Sequence, residues 1–362
     1  MQIFVFEFIT GGGLLSLPGA PKPCGSLLAE GRAMAAAVSA DFLALQDVEL
    51  LTTRDSRLSP LHPDAADVTI VRSVADERTA FDALAKTADW TLVIAPETAG
   101  ALLQRAEQAL SAGGRLLSPL PDLVRLASDK QQTADWLLAH GIRAPRGCVV
   151  DRTNPPPVDF PFPAVLKPNG GCGSQDIRLV SNVGRVSNPS AAGLVSNPSL
   201  RLRLEPLIPG LAASVSILCG PAGHVALPAC EQRLSADGRF RYLGGLTPLP
   251  AALDRRARQL ALAAIHTLPA PIGYIGVDLV LGDEARGAAD FVIEINARLT
   301  TSYVGLRAAC RENLAAAMLA IATGSLATLS FHPQPLEFDA DGMIHATAAN
   351  LQAPTELARW QP

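Results

Sequence analysis

The sequence has no block of lysine and arginine, and its 30 basic residues are outnumbered by 34 acidic ones, which gives a net charge of −4. Proteins that bind nucleic acid usually carry a clustered basic surface, so we expect no nucleic-acid partner. No uninterrupted apolar run approaches the ~18 residues that a membrane span requires. The N-terminal stretch MQIFVFEFITGGG lacks a basic start and carries Glu7 within its apolar run, unlike a secretory signal. We therefore expect a soluble, cytoplasmic protein without a membrane partner.

Metal-binding and nucleophile motifs are also missing. The six cysteines are scattered without a CxxC pair, and the six histidines show no ligand-like spacing. This pattern argues against a structural zinc site and against a small disulfide scaffold. No Ser-His-Asp arrangement or Cys-His pair stands out either. The glycines after the first strand do not match G-x-G-x-x-G, which argues against a dinucleotide-dependent oxidoreductase.

Apolar segments are what the sequence does have: 48% of its 362 residues are hydrophobic, enough for two or three compact units. Over residues 1–118, strand-like segments alternate with helical ones, which predicts an open α/β sheet with parallel strands. The predicted strands are QIFVFEFI, VELLTT, VTIVRS and WTLVIAP.

The middle of the chain is less regular. A helix is predicted with Ser128 as its N-cap and Gly141 as its end. Residues 151–163 contain five prolines and are interpreted as a linker. Residues 181–199 repeat VSNPS and contain little that could build a core, so we expect a low-complexity surface insertion.

A hairpin from IGVDLVL into FVIEIN carries the strongest chemical signal. Because strand side chains alternate, Val292, Glu294 and Asn296 are predicted to share one face, opposite Phe291, Ile293 and Ile295. Asp278 on the first strand then faces Glu294 and Asn296. Two carboxylates and an amide oxygen suit magnesium or manganese better than zinc. The alternative is that Asp278 and Glu294 are salt-bridged structural acids.

A lysine and a glycine-rich loop form a second candidate element. In AVLKPNGGCGS, Lys167 ends a buried strand, and Gly170, Gly171, Gly173 and Ser174 follow. Glycines allow backbone N–H groups to approach phosphate oxygens, which a lysine can neutralise. No GK[ST] ends the loop, so this is not a Walker A motif. An ordinary turn is the alternative.

Two further charged residues matter only in combination. Lys130 lies near the start of a predicted helix, and alone it would be interpreted as a solvated lysine. Glu205 ends a strand before a Pro–Gly turn, where it is either a surface acid or part of a hinge.

The order of these elements resembles the ATP-grasp superfamily over roughly residues 120–325. The specific part is YIGVDLVL with the Glu-x-Asn-x-Arg strand VIEINARLTTS, and the N-terminal α/β unit is similar to the domain that precedes ATP-grasp modules. The resemblance implies that two α+β lobes clamp ATP. It places Lys130, Lys167 and the glycine loop on the phosphates, and Glu205, Leu207 and Ile208 at the adenine.

We therefore predict an open α/β domain followed by a two-lobed ATP-grasp fold. The expected division is 1–118 for the N-terminal domain, 119–204 for the first lobe with its insertion, 205–326 for the second lobe, and 327–362 for a tail. One departure from the family pattern is that Ala212 and Ala213 stand where many members carry an acid that holds the ribose.

The resemblance implies an ATP-dependent ligase that forms an amide through an acyl phosphate. Such chemistry needs cations and metal more than a nucleophile. Arg298, on the same strand as Glu294, is expected to act with Lys167 on the transferring phosphoryl group. Thr300, Thr301 and Ser302 lead into a helix predicted over 302–323, where they bind a substrate carboxylate or simply cap the helix.

The substrates are predicted from a narrower resemblance. FEFITGGG together with EINARLTTSYVG resembles the tyramine–glutamate ligases of methanofuran biosynthesis. Glu7, near the carboxyl end of the first strand, then either binds a substrate ammonium or is bonded to backbone N–H groups. The partners are thus a small-molecule carboxylate and an amine, and a homodimer is a candidate assembly. Another amino-acid or peptide ligase, or a non-ligating nucleotide-binding regulatory module, remains open.

Overall fold

The computed structural model describes residues 1–61, 67–151, 155–171, 176–182 and 201–346. Gly173, Ser174 and nearly all of the predicted insertion lie outside these residues. The helices in the described residues are α1 (Gly25–Leu43), α2 (Val74–Thr87), α3 (Ala101–Ser111), α4 (Pro121–Ala127), α5 (Lys130–Ala139), α6 (Ala251–Ile265), α7 (Ser302–Ala309) and α8 (Leu314–Ala322).

A four-stranded parallel sheet forms the N-terminal part. Its strands are β1 (Gln2–Glu7), β2 (Glu49–Asp55), β3 (Asp67–Val71) and β4 (Trp90–Ile94), in the order β3-β2-β1-β4. The sequence QIFVFE buries nearly every side chain, as a central parallel strand requires. Phe4 and Phe6 of β1 pack edge-on against Phe81 of α2. Beside them Arg105 forms a buried ion pair with Glu77 at 2.9 Å.

A second sheet of four antiparallel strands stands apart from the first. Its strands are β5 (Cys148–Val150), β6 (Ala164–Pro168), β7 (Arg178–Val180) and β8 (Leu202–Pro206), in the order β5-β8-β6-β7. It has a small hydrophobic core of its own, made of Val150, Ala164, Leu166, Val180, Leu202 and Leu204. We call this sheet the lid sheet.

The third sheet is the largest, with eight strands in the described residues, and it carries the predicted hairpin. Its strands are β9 (Leu211–Gly220), β10 (Gly223–Ala226), β11 (Cys230–Leu234), β12 (Tyr242–Thr247), β13 (Gly273–Leu281), β14 (Phe291–Asn296), β15 (Leu336–Asp339) and β16 (Ile344–Ala346). Nine residue pairs join β9 to β13, so the hairpin is anchored on a long central strand. Part of the segment predicted as a tail therefore extends this sheet through β15 and β16. No helix among the described residues is long and apolar enough to cross a membrane.

Two predicted helices differ from the observed ones, the first in its N-cap and the second by an interruption. The helix expected to start after Ser128 is preceded by α4, and its N-cap is Asp129, whose side chain accepts from the Gln132 N–H. The helix expected over 302–323 ends at Ala309, and a new one starts after Asn313, whose side chain accepts from the Ala316 N–H. In both places a side chain that satisfies the first free N–H groups of a helix sets its start, which apolar periodicity does not reveal.

One buried carboxylate joins helix α1 of the N-terminal part to helix α7 and the residues that follow it. Asp41 of α1 accepts from the Tyr303 hydroxyl at 2.6 Å and from Arg307 Nε and Nη2 at 2.9 and 2.6 Å, both on α7. Its carbonyl oxygen also accepts from Asn313 Nδ2 at 2.8 Å. Because α7 begins at Ser302, this contact fixes the position of the Thr300–Ser302 segment.

We expect Asp41→Ala to lower the free energy of unfolding by about 2–4 kcal/mol, because it leaves a buried hydroxyl and a guanidinium without their acceptor. Urea unfolding measures the difference. Asp122→Ala, which removes an exposed i,i+3 pair with Arg125, is the control and should change stability by under about 1 kcal/mol. Equal effects of the two substitutions would contradict this account of Asp41.

Candidate active site

A cleft of about 590 Å³ lies between the lid sheet and the third sheet. This volume is within the range of small-molecule sites. Most of the residues predicted from sequence line it: Lys130, Lys167, Gly171, Glu205, Leu207, Ile208, Asp278, Glu294, Asn296, Arg298, Thr300, Thr301 and Ser302. Gly170 and Glu7 are not among its lining residues.

Asp278 and Glu294 lie directly opposite each other on β13 and β14, so their side chains share one face. Asn296 Nδ2 donates to Asp278 Oδ2 at 3.1 Å, and Gln232 Nε2 donates to Asp278 Oδ1 at 2.9 Å. Burial, and then the neighbouring Glu294, raise the pKa of Asp278 to about 7. Two adjacent carboxylates in a half-buried site favour a bound cation.

The donor set fits a hard divalent cation. Asp278, Glu294 and the Asn296 amide oxygen would hold it. Within the described parts of the chain, no group of three or more His, Cys, Asp and Glu side chains could hold a metal. The protein thus supplies only two carboxylates and one amide oxygen at this position. Magnesium sites with few protein ligands are completed by water and substrate phosphates.

The hairpin departs from simple alternation at one residue. Asp278 pairs with Glu294, but the next residue, Leu279, pairs with Val292, so Ile293 is an extra residue in β14. As a result Ile293 lines the cleft beside Glu294, whereas Val292 is fully buried. The prediction that Val292 shares the cleft face and Ile293 the opposite one was wrong, because a bulge cannot be read from apolar periodicity.

Lys130 connects the two sides of the cleft. Its Nζ lies 2.8 Å from Glu294 Oε1 and donates to the Gly171 carbonyl at 2.6 Å. Its own N–H donates to the Asn169 carbonyl. Lys130 is only 8% exposed, so the interpretation of a solvated lysine is excluded. Contact with Lys130 also contributes to the lowered pKa of Glu294, against the effect of burial.

Lys167 belongs to a buried three-residue ion cluster. Glu205 Oε1 lies 2.6 Å from Lys167 Nζ, and Glu205 Oε2 lies 2.9 Å from Arg203 Nε. Arg203 also donates to the Pro145 carbonyl at 2.8 Å and to Gln131 Oε1. Glu205 is therefore not a surface acid. It neutralises two cations at the base of the lid sheet, while Leu207 and Ile208 line the cleft next to it.

The Thr300–Ser302 segment presents hydroxyl groups to the cleft. Ser302 Oγ lies 2.8 Å from Thr300 Oγ1 and 3.1 Å from Ser216 Oγ, and Tyr274 donates to Ser216 Oγ at 2.5 Å. Thr301, at the N-cap position of α7, has a helical backbone and makes no side-chain cap hydrogen bond. The helix start is thus not closed by a capping side chain of its own.

Glu7 does not reach the cleft. Its carboxylate accepts from the N–H groups of Ile9 and Thr10 and from the Thr10 hydroxyl at 3.1, 2.7 and 2.6 Å. Helix α1 covers it, since a Cβ on Gly31 would lie 2.8 Å from Glu7 Oε1. This geometry matches the alternative in which Glu7 is bonded to the backbone.

Several residues of the site were missed in the sequence. Glu30 of α1 lines the cleft, is half-buried and has a pKa raised by burial, against the effects of Arg298 and of a hydrogen bond to Thr301. Glu97 forms an ion pair with Arg298 at 2.9 Å. Arg203 forms an ion pair with Glu205, and Gln232 donates a hydrogen bond to Asp278. None of them lies in a motif, and each comes close only through the fold.

Comparisons with known proteins agree with this geometry. Residues 127–302 match the ATP-grasp domain family, and residues 48–123 match the pre ATP-grasp 3 domain family. An ATP-grasp superfamily protein from Archaeoglobus fulgidus has a similar structure, with a TM-score of 0.68 and 21% identity over 94% of this chain and 92% of that one. The fold is therefore an ATP-grasp fold with mixed α/β and α+β parts, as predicted.

Two curated ligases match parts of this chain in sequence. A D-alanine–D-alanine ligase from Sphingopyxis alaskensis is 32% identical over 188 residues, which cover 47% of this chain and 58% of the relative. A tyramine–L-glutamate ligase from Methanocaldococcus fervens is 29% identical over 104 residues, which cover 29% of this chain and 33% of the relative. The chain thus spans less than two thirds of the relatives it matches. The two matched families place an ATP-grasp domain over residues 127–302, preceded by a pre ATP-grasp domain over residues 48–123.

The Lys167–Glu205–Arg203 cluster predicts an asymmetry between two substitutions. Glu205→Gln leaves two buried cations side by side and should lower the free energy of unfolding by about 3–5 kcal/mol. Lys167→Met leaves Glu205 paired with Arg203 and should cost only about 1 kcal/mol. Chemical denaturation of both variants measures the two values. If Lys167→Met is the more destabilising, Glu205 is not the shared counter-ion.

Proposed function

We propose that this protein is an ATP-dependent ligase that joins a carboxylate to an amine through an acyl phosphate. One observation carries the proposal: Lys130, Lys167 and Arg298 converge on the Asp278–Glu294 carboxylate pair within one cleft. Phosphoryl transfer depends mainly on positioning and charge neutralisation, and this set of side chains supplies both. The activities of the D-alanine–D-alanine ligase and the tyramine–L-glutamate ligase support the same class of reaction.

In the proposed reaction, a carboxylate oxygen of the first substrate attacks the γ-phosphorus of ATP, and ADP leaves. The amine of the second substrate then attacks the acyl carbon, loses a proton, and displaces inorganic phosphate. Lys130 and Lys167 hold the phosphates, and Arg298 stabilises the transferring phosphoryl group. Leu207 and Ile208 line the adenine end. Magnesium or manganese on Asp278, Glu294 and Asn296 would supply further positive charge to the phosphate oxygens.

For the substrates, we propose a glutamate carboxylate and an aromatic amine such as tyramine. Among the described residues, the cations that line the cleft are Lys130, Lys167, Arg233 and Arg298, and each contacts a carboxylate of the protein. Glu30 lies in the same cleft, near Thr301, and can receive a positively charged amine. The Glu30 carboxylate favours an amine without a carboxylate over a D-alanine acceptor, and two D-alanines are the alternative substrate pair.

Substitution at the carboxylate pair tests the proposed metal site. Asp278→Asn and Glu294→Gln should each lower carboxylate-dependent ADP formation by about 100-fold or more while the protein remains folded. Magnesium-dependent binding of a nonhydrolysable ATP analogue should weaken in both. Glu284→Gln, an exposed acid in the loop of the same hairpin, is the control. Near wild-type turnover in either site variant would show that the metal assignment is wrong.

Substitution of Glu30 tests the substrate proposal. Glu30→Gln should lower kcat/KM for the amine by about 10- to 100-fold, because a charge-assisted contact becomes a neutral one, and should leave KM for ATP unchanged. The assay is ADP formation with pairs drawn from glutamate, aspartate, D-alanine and tyramine. ADP formed only when a carboxylate is added separates a ligase from a non-ligating module. Turnover with D-alanine alone, and none with glutamate and tyramine, would refute the substrate assignment.

A further inference from the structure

The ion pair between Glu97 and Arg298 joins the N-terminal domain to the cleft. Glu97 Oε1 lies 2.9 Å from Arg298 Nε, and the two side chains are 3% and 12% exposed. The residues are 201 positions apart in sequence. Arg298 lines the cleft, whereas Glu97 is not among its lining residues. Any effect of Glu97 on a bound substrate therefore acts through Arg298.

The loop that carries Glu97 is held in a defined conformation. The loop follows β4. Strands β2 and β4 lie on opposite sides of β1, so the direction of the strand order reverses at β1. Open α/β sheets place their functional groups at the carboxyl ends of strands at such a reversal in strand order. Ala99 has a φ of 53°, which is uncommon for a residue with a side chain. The Leu102 N–H donates to the Pro96 carbonyl across the turn.

The geometry of the contact orients the guanidinium group. Glu97 contacts Nε, on the inner side of the group. Nη2 lies 3.4 Å from Asn296 Oδ1 and Nη1 lies 3.3 Å from the Leu299 carbonyl. Holding Nε fixes the plane of the group, whose terminal nitrogens lie beside Asn296 and Leu299.

A second buried pair of the same domain shows what a structural role looks like. Glu77 and Arg105 are also 2.9 Å apart, with side chains 0% and 7% exposed, but neither is among the residues that line the cleft. One oxygen of Glu77 and one oxygen of Glu97 are each buried without a hydrogen-bond partner among the described residues. The unpaired oxygen therefore does not distinguish the two acids. What distinguishes Glu97 is that its partner lines the cleft.

We infer that Glu97 is a positioning residue for Arg298, so that the N-terminal domain completes the active site. The inference rests on the proposed function. Without Glu97, the guanidinium should sample several orientations, and the phosphoryl group should lose stabilisation in transfer more than in binding. Nucleotide affinity should therefore change little, because Lys130 and Lys167 remain in place.

The experiment is a double-mutant cycle with a matched control. Glu97→Gln should lower kcat by about 10- to 100-fold, with KM for ATP and the affinity for a nonhydrolysable analogue within about twofold of wild type. In an Arg298→Ala background the same substitution should have no further effect on kcat. Glu97→Asp, which keeps the charge, should recover part of kcat. Glu77→Gln should lower the melting temperature and leave kcat unchanged.

The outcomes separate this inference from the proposed function. If wild type is active and Glu97→Gln retains full kcat, or loses as much with Arg298→Ala as without it, the positioning role is refuted. If Glu97→Gln lowers only the melting temperature, as Glu77→Gln does, the pair is structural and the inference is again refuted. A wild-type protein that forms no ADP with any carboxylate and amine refutes the proposed function, and this inference with it.

Discussion

Two carboxylates held side by side are the constraint on which the rest of the cleft depends. Asp278 and Glu294 face each other on neighbouring strands, where their mutual repulsion and their burial both disfavour ionisation of the pair. Lys130, 2.8 Å from Glu294, offsets part of that charge. A divalent cation shared with nucleotide phosphates would offset the remainder. The long pairing of β9 with β13 keeps the hairpin in place.

A second regularity is that Lys130, Lys167 and Arg298 are each paired with an acid that is distant in sequence. Lys130 contacts Glu294, Lys167 contacts Glu205, and Arg298 contacts Glu97. Such pairs place the positive groups before any substrate arrives, which is what electrostatic preorganisation requires. The Lys130–Glu294 and Arg298–Glu97 pairs also couple different parts of the chain, whereas Lys167 and Glu205 lie on neighbouring strands of the lid sheet. The Asp41 contacts to α7 strengthen that coupling.

Residues inside a contiguous motif could be predicted, and residues brought together by the fold could not. The strand EINAR with Asp278 indicated the carboxylate pair, and the strand before the glycine loop indicated Lys167, because both are local patterns. Arg203 gave no signal, since a buried arginine is recognised only by its partners. Glu30 and Glu97 lie in a helix and a loop of the N-terminal domain, and Glu7 was proposed in their place because it ends a strand. The bulge at Ile293 is set by pairing with β13 and leaves no trace in the apolar pattern.

The central claim is that the cleft activates a carboxylate as an acyl phosphate. Oxygen transfer measures this most directly. The protein is incubated with magnesium–ATP, an amine and a substrate whose carboxylate carries ¹⁸O, and the inorganic phosphate is analysed by mass. An acyl phosphate transfers one labelled oxygen from each carboxylate to the phosphate released when the amide forms. Amide formation with unlabelled phosphate, or with AMP and pyrophosphate as products, would contradict the proposed mechanism.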